Sequence, residues 1–230
     1  MQTRTDQVTT RDGAFDVHLW FPERGTGPGV LIPHEIFGVS SYLRDVAAEL
    51  AGRGYVVAVP DLFWRLQPGW APEPGPDNLA ASLALSARFD FAKGVTDCAL
   101  ALAHLRPLTT GKAGTLGFCL GGSLAFTLAA TVAVDSVLAF YGSLVPDQLD
   151  LLEQIRCPVF LAFGGSDPYI PRERVRMAEK AAEGRPGVTV YVDEEAGHAF
   201  HNHQDPAFHQ PEAAARVWPV ALDFLRASLT

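Results

Sequence analysis

Cys119, Asp167 and His198 are the residue types that nucleophilic acyl chemistry needs: a thiol, a carboxylate and an imidazole. Cys119 lies in Gly117-Phe118-Cys119-Leu120-Gly121-Gly122, between an apolar strand-like stretch and a small-residue helix-like stretch. The spacing Gly-x-nucleophile-x-Gly suits a sharp strand-to-helix turn that holds its central residue in a strained conformation. Side chains two residues before and after have no room there, so glycine is required. The thiol then stands at the tip of the turn, at a helix N-terminus. The helix dipole and free backbone N–H groups favour a thiolate or a developing oxyanion at that point.

Asp167 follows an apolar run in Phe163-Gly164-Gly165-Ser166-Asp167-Pro168, and His198 follows another in Ala196-Gly197-His198-Ala199-Phe200. Taken singly, each has a plain alternative. A lone buried cysteine is a small hydrophobe, an Asp before Pro forms turns, and a His after Gly is a loop residue. Together, in this order and each just past a strand end, they read as nucleophile, orienter and base. Cys98 falls within an apolar helical pattern and Cys157 opens a strand before Pro158, so both read as structural. The histidines His198, His201, His203 and His209 have no familiar zinc spacing, and the stretch reads as a loop with His201 or Asn202 at the site entrance. No metal and no cofactor is expected.

These residues need a scaffold. Apolar strand-like runs occur at 15–21, 29–32, 55–59, 113–118, 136–141, 159–163 and 188–192. Helical patterns lie between most of them, at 40–53, 91–105, 121–131, 172–183 and 211–227. Alternating strands and helices predict an α/β fold with a mostly parallel sheet covered on both faces, and a ligand crevice at the carboxyl ends of its strands. The 230 residues fit one domain. One segment breaks the rhythm: 64–78 carries Pro68, Pro72, Pro74 and Pro76 and reads as a long loop. Trp64 and Trp70 could make it a lid or pocket wall; a rigid surface excursion is the alternative. A net charge of -8 argues against nucleic acid as a partner. No apolar run is long enough to cross a membrane. Three cysteines make no even disulfide set, which points to a reducing cytoplasm.

The assembled motifs resemble the dienelactone hydrolase family, cysteine-dependent members of the α/β-hydrolase fold. The resemblance rests on His34-Glu35-Ile36-Phe37-Gly38, Val59-Pro60-Asp61-Leu62, the Cys119 turn, Tyr141-Gly142, Gly165-Ser166-Asp167 and Ala196-Gly197-His198-Ala199-Phe200. It implies hydrolysis of a small-molecule ester or lactone through a thiol acyl-enzyme. Cys119 corresponds to the nucleophile, His198 to the base and Asp167 to its orienter. Glu35 corresponds to a carboxylate that helps control the thiol; a Glu that merely caps a turn is the alternative. The backbone N–H groups of Leu120 and Ile36 correspond to the oxyanion hole. Tyr141 matches a pocket residue, with packing at the sheet edge as its alternative. Phe37, Trp64, Leu79, Leu83, Phe200 and Asn202 complete the expected pocket. The family's founding members hold a substrate carboxylate with arginines; Asn202 and Leu79 stand at the corresponding positions here. Losing those guanidiniums implies neutral, apolar electrophiles such as esters, lactones or phosphotriesters. Arg65 and Arg88 remain as substitute anion anchors. A non-catalytic small-molecule binder and a redox thiol are competing functions on the same fold.

Overall fold

A computed structural model describes every residue from Met1 to Thr230. In chain order the strands are β1 (Gln2–Thr9), β2 (Ala14–Phe21), β3 (Gly29–Leu31), β4 (Val56–Pro60), β5 (Ala113–Phe118), β6 (Val137–Phe140), β7 (Val159–Gly164) and β8 (Val188–Asp193). The α-helices are α1 (Ser41–Gly52), α2 (Pro76–Ser86), α3 (Phe91–Leu105), α4 (Leu120–Thr131), α5 (Arg172–Ala182) and α6 (Pro211–Leu229). All eight strands join one sheet in the order β1-β2-β4-β3-β5-β6-β7-β8. The pairs from β4 to β8 are parallel; β1 with β2 and β2 with β4 are antiparallel.

The central strands are apolar along their whole length because helices cover both faces. β4, β5, β6 and β7 bury every residue. α1 turns Tyr42, Leu43, Val46, Ala47 and Leu50 inward at helical spacing, and Ser40 caps it by accepting from the Leu43 N–H.

The order of strands decides where a site forms. From β3 the chain moves through α1 to β4 on one side, while from β5 it moves through α4 to β6 on the other. β3 and β5 are neighbours, so their carboxyl ends open a crevice at this change of direction. The loops that leave those two ends carry His34–Gly38 and Cys119.

Three elements differ from expectation. β1 is an added edge strand that the sequence reading omits. Only Val8 of its eight residues is buried, so the polar run Gln2–Thr9 carries no apolar alternation; pairing with β2 forms it. The 136–141 run stops at Phe140, because Tyr141 turns into positive φ (38°). The proline-rich stretch is a loop only through Gly75; Pro76, at a position that needs no N–H donor, opens α2.

Candidate active site

Cys119 connects β5 to α4 with φ 52° and ψ -118°. A Cβ at Gly117 would lie 2.0 Å from the Gly121 carbonyl oxygen, and one at Gly121 would lie 2.1 Å from the Pro33 oxygen. The two glycines therefore let the turn close against itself and against the β3 loop. Only two other non-glycine residues have positive φ, Tyr141 and Ala199, which follow β6 and His198. All three conformations flank the same crevice, which is where strain is characteristically stored.

The three predicted residues meet. His198 Nε2 lies 3.2 Å from Cys119 Sγ, and His198 Nδ1 lies 2.7 Å from Asp167 Oδ2. The second carboxylate oxygen of Asp167 accepts from the backbone N–H groups of Tyr169 and Ile170 at 2.7 and 3.2 Å. Those bonds fix the carboxylate, which in turn fixes the imidazole. Burial alone would lower the His198 pKa; the Cys119 sulfur and the Asp167 carboxylate outweigh it and push it up to about 10. The arrangement can hold a proton on the imidazole within hydrogen-bond reach of the sulfur.

Glu35 also reaches the crevice, from the loop after β3. It is buried, and desolvation pushes its carboxyl up to about 8. Asn202 donates its amide to Glu35 Oε2 at 3.3 Å. The hydrogen-bonding partner of the Cys119 sulfur is His198, whereas that of the Glu35 carboxyl is Asn202. His34 supports the loop: its Nε2 accepts from the Leu62 N–H at 2.9 Å and its Nδ1 donates to the Glu35 carbonyl at 2.6 Å. Burial lowers the His34 pKa to about 4, so the ring is neutral and suited to that pair of bonds. Nothing in the sequence marked this role beyond its place in the His34–Gly38 run.

The cleft at Cys119 has a volume of about 290 Å³. Leu120 and Ile36 flank the sulfur, and Phe37, Leu79 and Leu83 line the wall as expected. Four expected pocket residues lie elsewhere. Tyr141 is fully buried and packs behind His198, with ring centroids 5.2 Å apart. Phe200 is buried against Tyr141. Asn202 is buried beneath the cleft, where it holds Glu35. Trp64 stacks on Phe15 and donates its indole N–H to Asp97 Oδ2 at 3.0 Å, outside the cleft. A tryptophan beside a proline-rich loop has no periodicity to show which way it faces. Trp70 also faces away: its indole N–H donates to Ser82 Oγ at 3.1 Å and holds α2 from behind. His201, expected at the entrance, is buried, bonded to the Tyr42 hydroxyl at 2.8 Å and stacked on Phe118.

The sequence reading missed Ser123, Leu144, Tyr169 and Phe208, which also line the cleft. The first and third were within reach: Ser123 is one helical turn after Cys119, and Tyr169 is two residues after Asp167. Leu144 and Phe208 sit in loops without a pattern. No arginine or lysine lines the cleft. Arg65 is held by Asp97 and Asp12 on another face, and Arg88 stays outside. Neither of the other thiols lines the cleft. Burial pushes Cys98 up, and Cys157 up to about 11.

Comparison with known proteins gives a consistent picture. Residues 15–229 match the model of the dienelactone hydrolase family. A carboxymethylenebutenolidase of Pseudomonas putida is 32% identical over 229 residues, covering 98% of this chain and 97% of its own. A probable 2-oxo-3-(5-oxofuran-2-ylidene)propanoate lactonase of a Bradyrhizobium species is 29% identical over 217 residues, covering 88% of this chain and 84% of its own. Among solved structures, a putative dienelactone hydrolase of Klebsiella pneumoniae superposes with a TM-score of 0.82 at 23% identity, over 97% of this chain and 98% of that one. A dienelactone hydrolase-like promiscuous phosphotriesterase from metagenomic libraries superposes with a TM-score of 0.81 at 20% identity, over 100% and 99%.

Proposed function

The chain belongs to the dienelactone hydrolase family, a hydrolase of lactone and ester bonds, and on that premise we propose that Cys119 is its nucleophile. His198 is the base, Asp167 its orienter, and the Leu120 and Ile36 N–H groups the oxyanion hole. The observation that carries this reading is the chain of contacts from sulfur to Nε2 at 3.2 Å and from Nδ1 to carboxylate at 2.7 Å.

His198 takes the thiol proton as sulfur attacks the carbonyl carbon. The tetrahedral oxyanion is held by the two N–H groups. On collapse the C–O bond breaks, and the leaving oxygen receives the proton from His198. In a lactone that oxygen stays tethered to the acyl group. Water then gives a proton to His198 and attacks the thioester, the C–S bond breaks to release the acid, and the sulfur takes the proton back from His198. Glu35 sits neutral beside this path below about pH 8 and adds no repulsion to the developing negative charge. Holding Glu35 at its buried position is the role we assign to Asn202.

The cleft wall is largely apolar and carries no arginine or lysine, which favours neutral esters and lactones. Neutral phosphotriesters also fit, because attack at phosphorus places charge in the same oxyanion hole. The three free cysteines suit a reducing compartment such as the cytoplasm. No helix is long and apolar enough to cross a membrane.

The test is pre-steady-state hydrolysis of p-nitrophenyl acetate. The parent gives a burst of about one p-nitrophenolate per chain, as acylation outruns deacylation. Cys119→Ala loses the burst and at least about 10³-fold in turnover. Equal turnover by that variant overturns the assignment. A parallel pair of neutral and carboxylate-bearing esters reads the charge preference.

A further inference from the structure

Most large apolar side chains of this protein are buried. Leu83, Leu144 and Tyr169 are among the few that are not, at 47%, 37% and 53% exposure. Isolated exposed apolar residues are ordinary. These three are not isolated: all line the mouth of the Cys119 cleft. They also come from three separate elements, α2, the loop after β6 and the loop after Asp167, so no single amphipathic pattern produces their convergence.

α2 supplies one wall. It buries only Ser82 and Leu85 and presents Leu79, Leu83 and Ser86 to the cleft, one above another at spacings of four and three. The opposite wall is positioned from the reactive turn itself. Ser123 Oγ accepts from the Leu144 N–H at 3.1 Å, and Asp167 accepts from the Tyr169 N–H. The rings of Tyr169 and His198 further meet in a T-shaped pair, centroid to centroid 5.0 Å. The apolar lining is thus continuous from the sulfur to solvent and is anchored to the catalytic residues.

We propose that this rim is a subsite for an extended alkyl or aryl substituent of the substrate, so that the enzyme prefers longer-chain neutral esters to their short-chain counterparts. The proposal deepens the reading of Cys119 as nucleophile and rests on it. A substrate arm is the occupant because the surface is continuous with the reaction centre and carries no charge that would select an anionic or cationic partner.

Two substrate series test it, p-nitrophenyl esters from acetate to octanoate and alkyl acetates from methyl to hexyl. In one of them kcat/KM rises by up to about fourfold per methylene, the value of burying that group. Leu83→Asn and Leu144→Asn flatten the slope, read as the long-to-short ratio, whereas Leu83→Met keeps it. A flat or falling dependence in both series on the parent overturns the proposal. Were no ester turned over at all, the nucleophile assignment would fail instead. Titration of N-octylacetamide into the parent then decides the subsite separately. Saturable binding weakened about tenfold by Leu83→Asn supports it, and absent binding overturns it. A solution dimer that Leu83→Asn converts to monomers would also overturn it, because the rim would then be buried by a second copy.

Discussion

A carboxyl group buried in the same cleft as Cys119 acts through its own charge. Glu35 ionises near pH 8, pushed there by desolvation. Once charged it strengthens the hold of His198 on its proton and repels the developing oxyanion. Acylation is therefore expected to fall as pH rises through 8, and the limb to be absent in Glu35→Gln. A stopped-flow pH series on both proteins checks this, and an unchanged limb in Glu35→Gln would remove Glu35 from the mechanism. A second expectation concerns Asp167→Asn. It leaves the two backbone bonds to the side-chain oxygen available but takes away the charge that orients His198, with a cost of about 10²- to 10⁴-fold in kcat. At this scale the sequence was informative where chemistry constrains residue type and spacing. Cys119, Asp167, His198 and Glu35 each stand at a strand end, and the structure brings them together. Tyr141, Phe200, Asn202 and Trp64 were harder to place, because sequence shows that they are near the site but not which way they face.

At the scale of elements, the turn at Cys119 depends on backbone contact. A methyl group at Gly121 meets the Pro33 carbonyl oxygen at 2.1 Å, and neither side of that contact is a flexible side chain. Gly121→Ala is expected to destabilise the fold by about 2–4 kcal/mol and to cost activity beyond that, because relief requires β3 and α4 to separate. Urea midpoints and kcat measured on the same preparation check it; wild-type stability with wild-type kcat would mean the packing is looser than the distances indicate. The main β–α alternation was legible because central strands are continuously apolar and helices are periodic. β1 was not, since an exposed edge strand is specified by its partner more than by its own residues. α2 was obscured by prolines that end at its first turn, where proline is tolerated.

At the scale of the whole molecule, the buried ionisable groups set how stability depends on pH. Glu35 rises from an ordinary 4.5 to about 8, so its contribution is full below 4.5 and is lost as pH climbs to 8. His198 rises from 6.5 to about 10, so its stabilisation is full below 6.5 and is lost as pH climbs to 10. His34 and His201 are lowered from 6.5 to about 4 and about 3. Their contributions are present above 6.5 and are lost as pH falls through those values. The stability curve should therefore peak near the ordinary histidine value of 6.5 and decline on both sides. Glu35→Gln should flatten the part between about 6 and 8, measured as urea midpoint against pH. A midpoint that keeps rising to pH 9 would contradict both the burial of Glu35 and the pairing of His198 with Cys119 and Asp167. The sequence placed these groups in order along the chain, but their pKa shifts follow from packing that only three dimensions reveal.

α2 enters no strand pairing: it belongs to an excursion between β4 and α3, and the sheet would close without it. Cys119, His198 and Asp167 instead follow β5, β8 and β7, strands of the sheet itself. One wall of the cleft is thus written in a different stretch of the polypeptide from the Cys119, Asp167 and His198 constellation. Grafting another sequence between Gly75 and Asp90 offers a route to retailor what the protein accepts while its chemical engine stays in place.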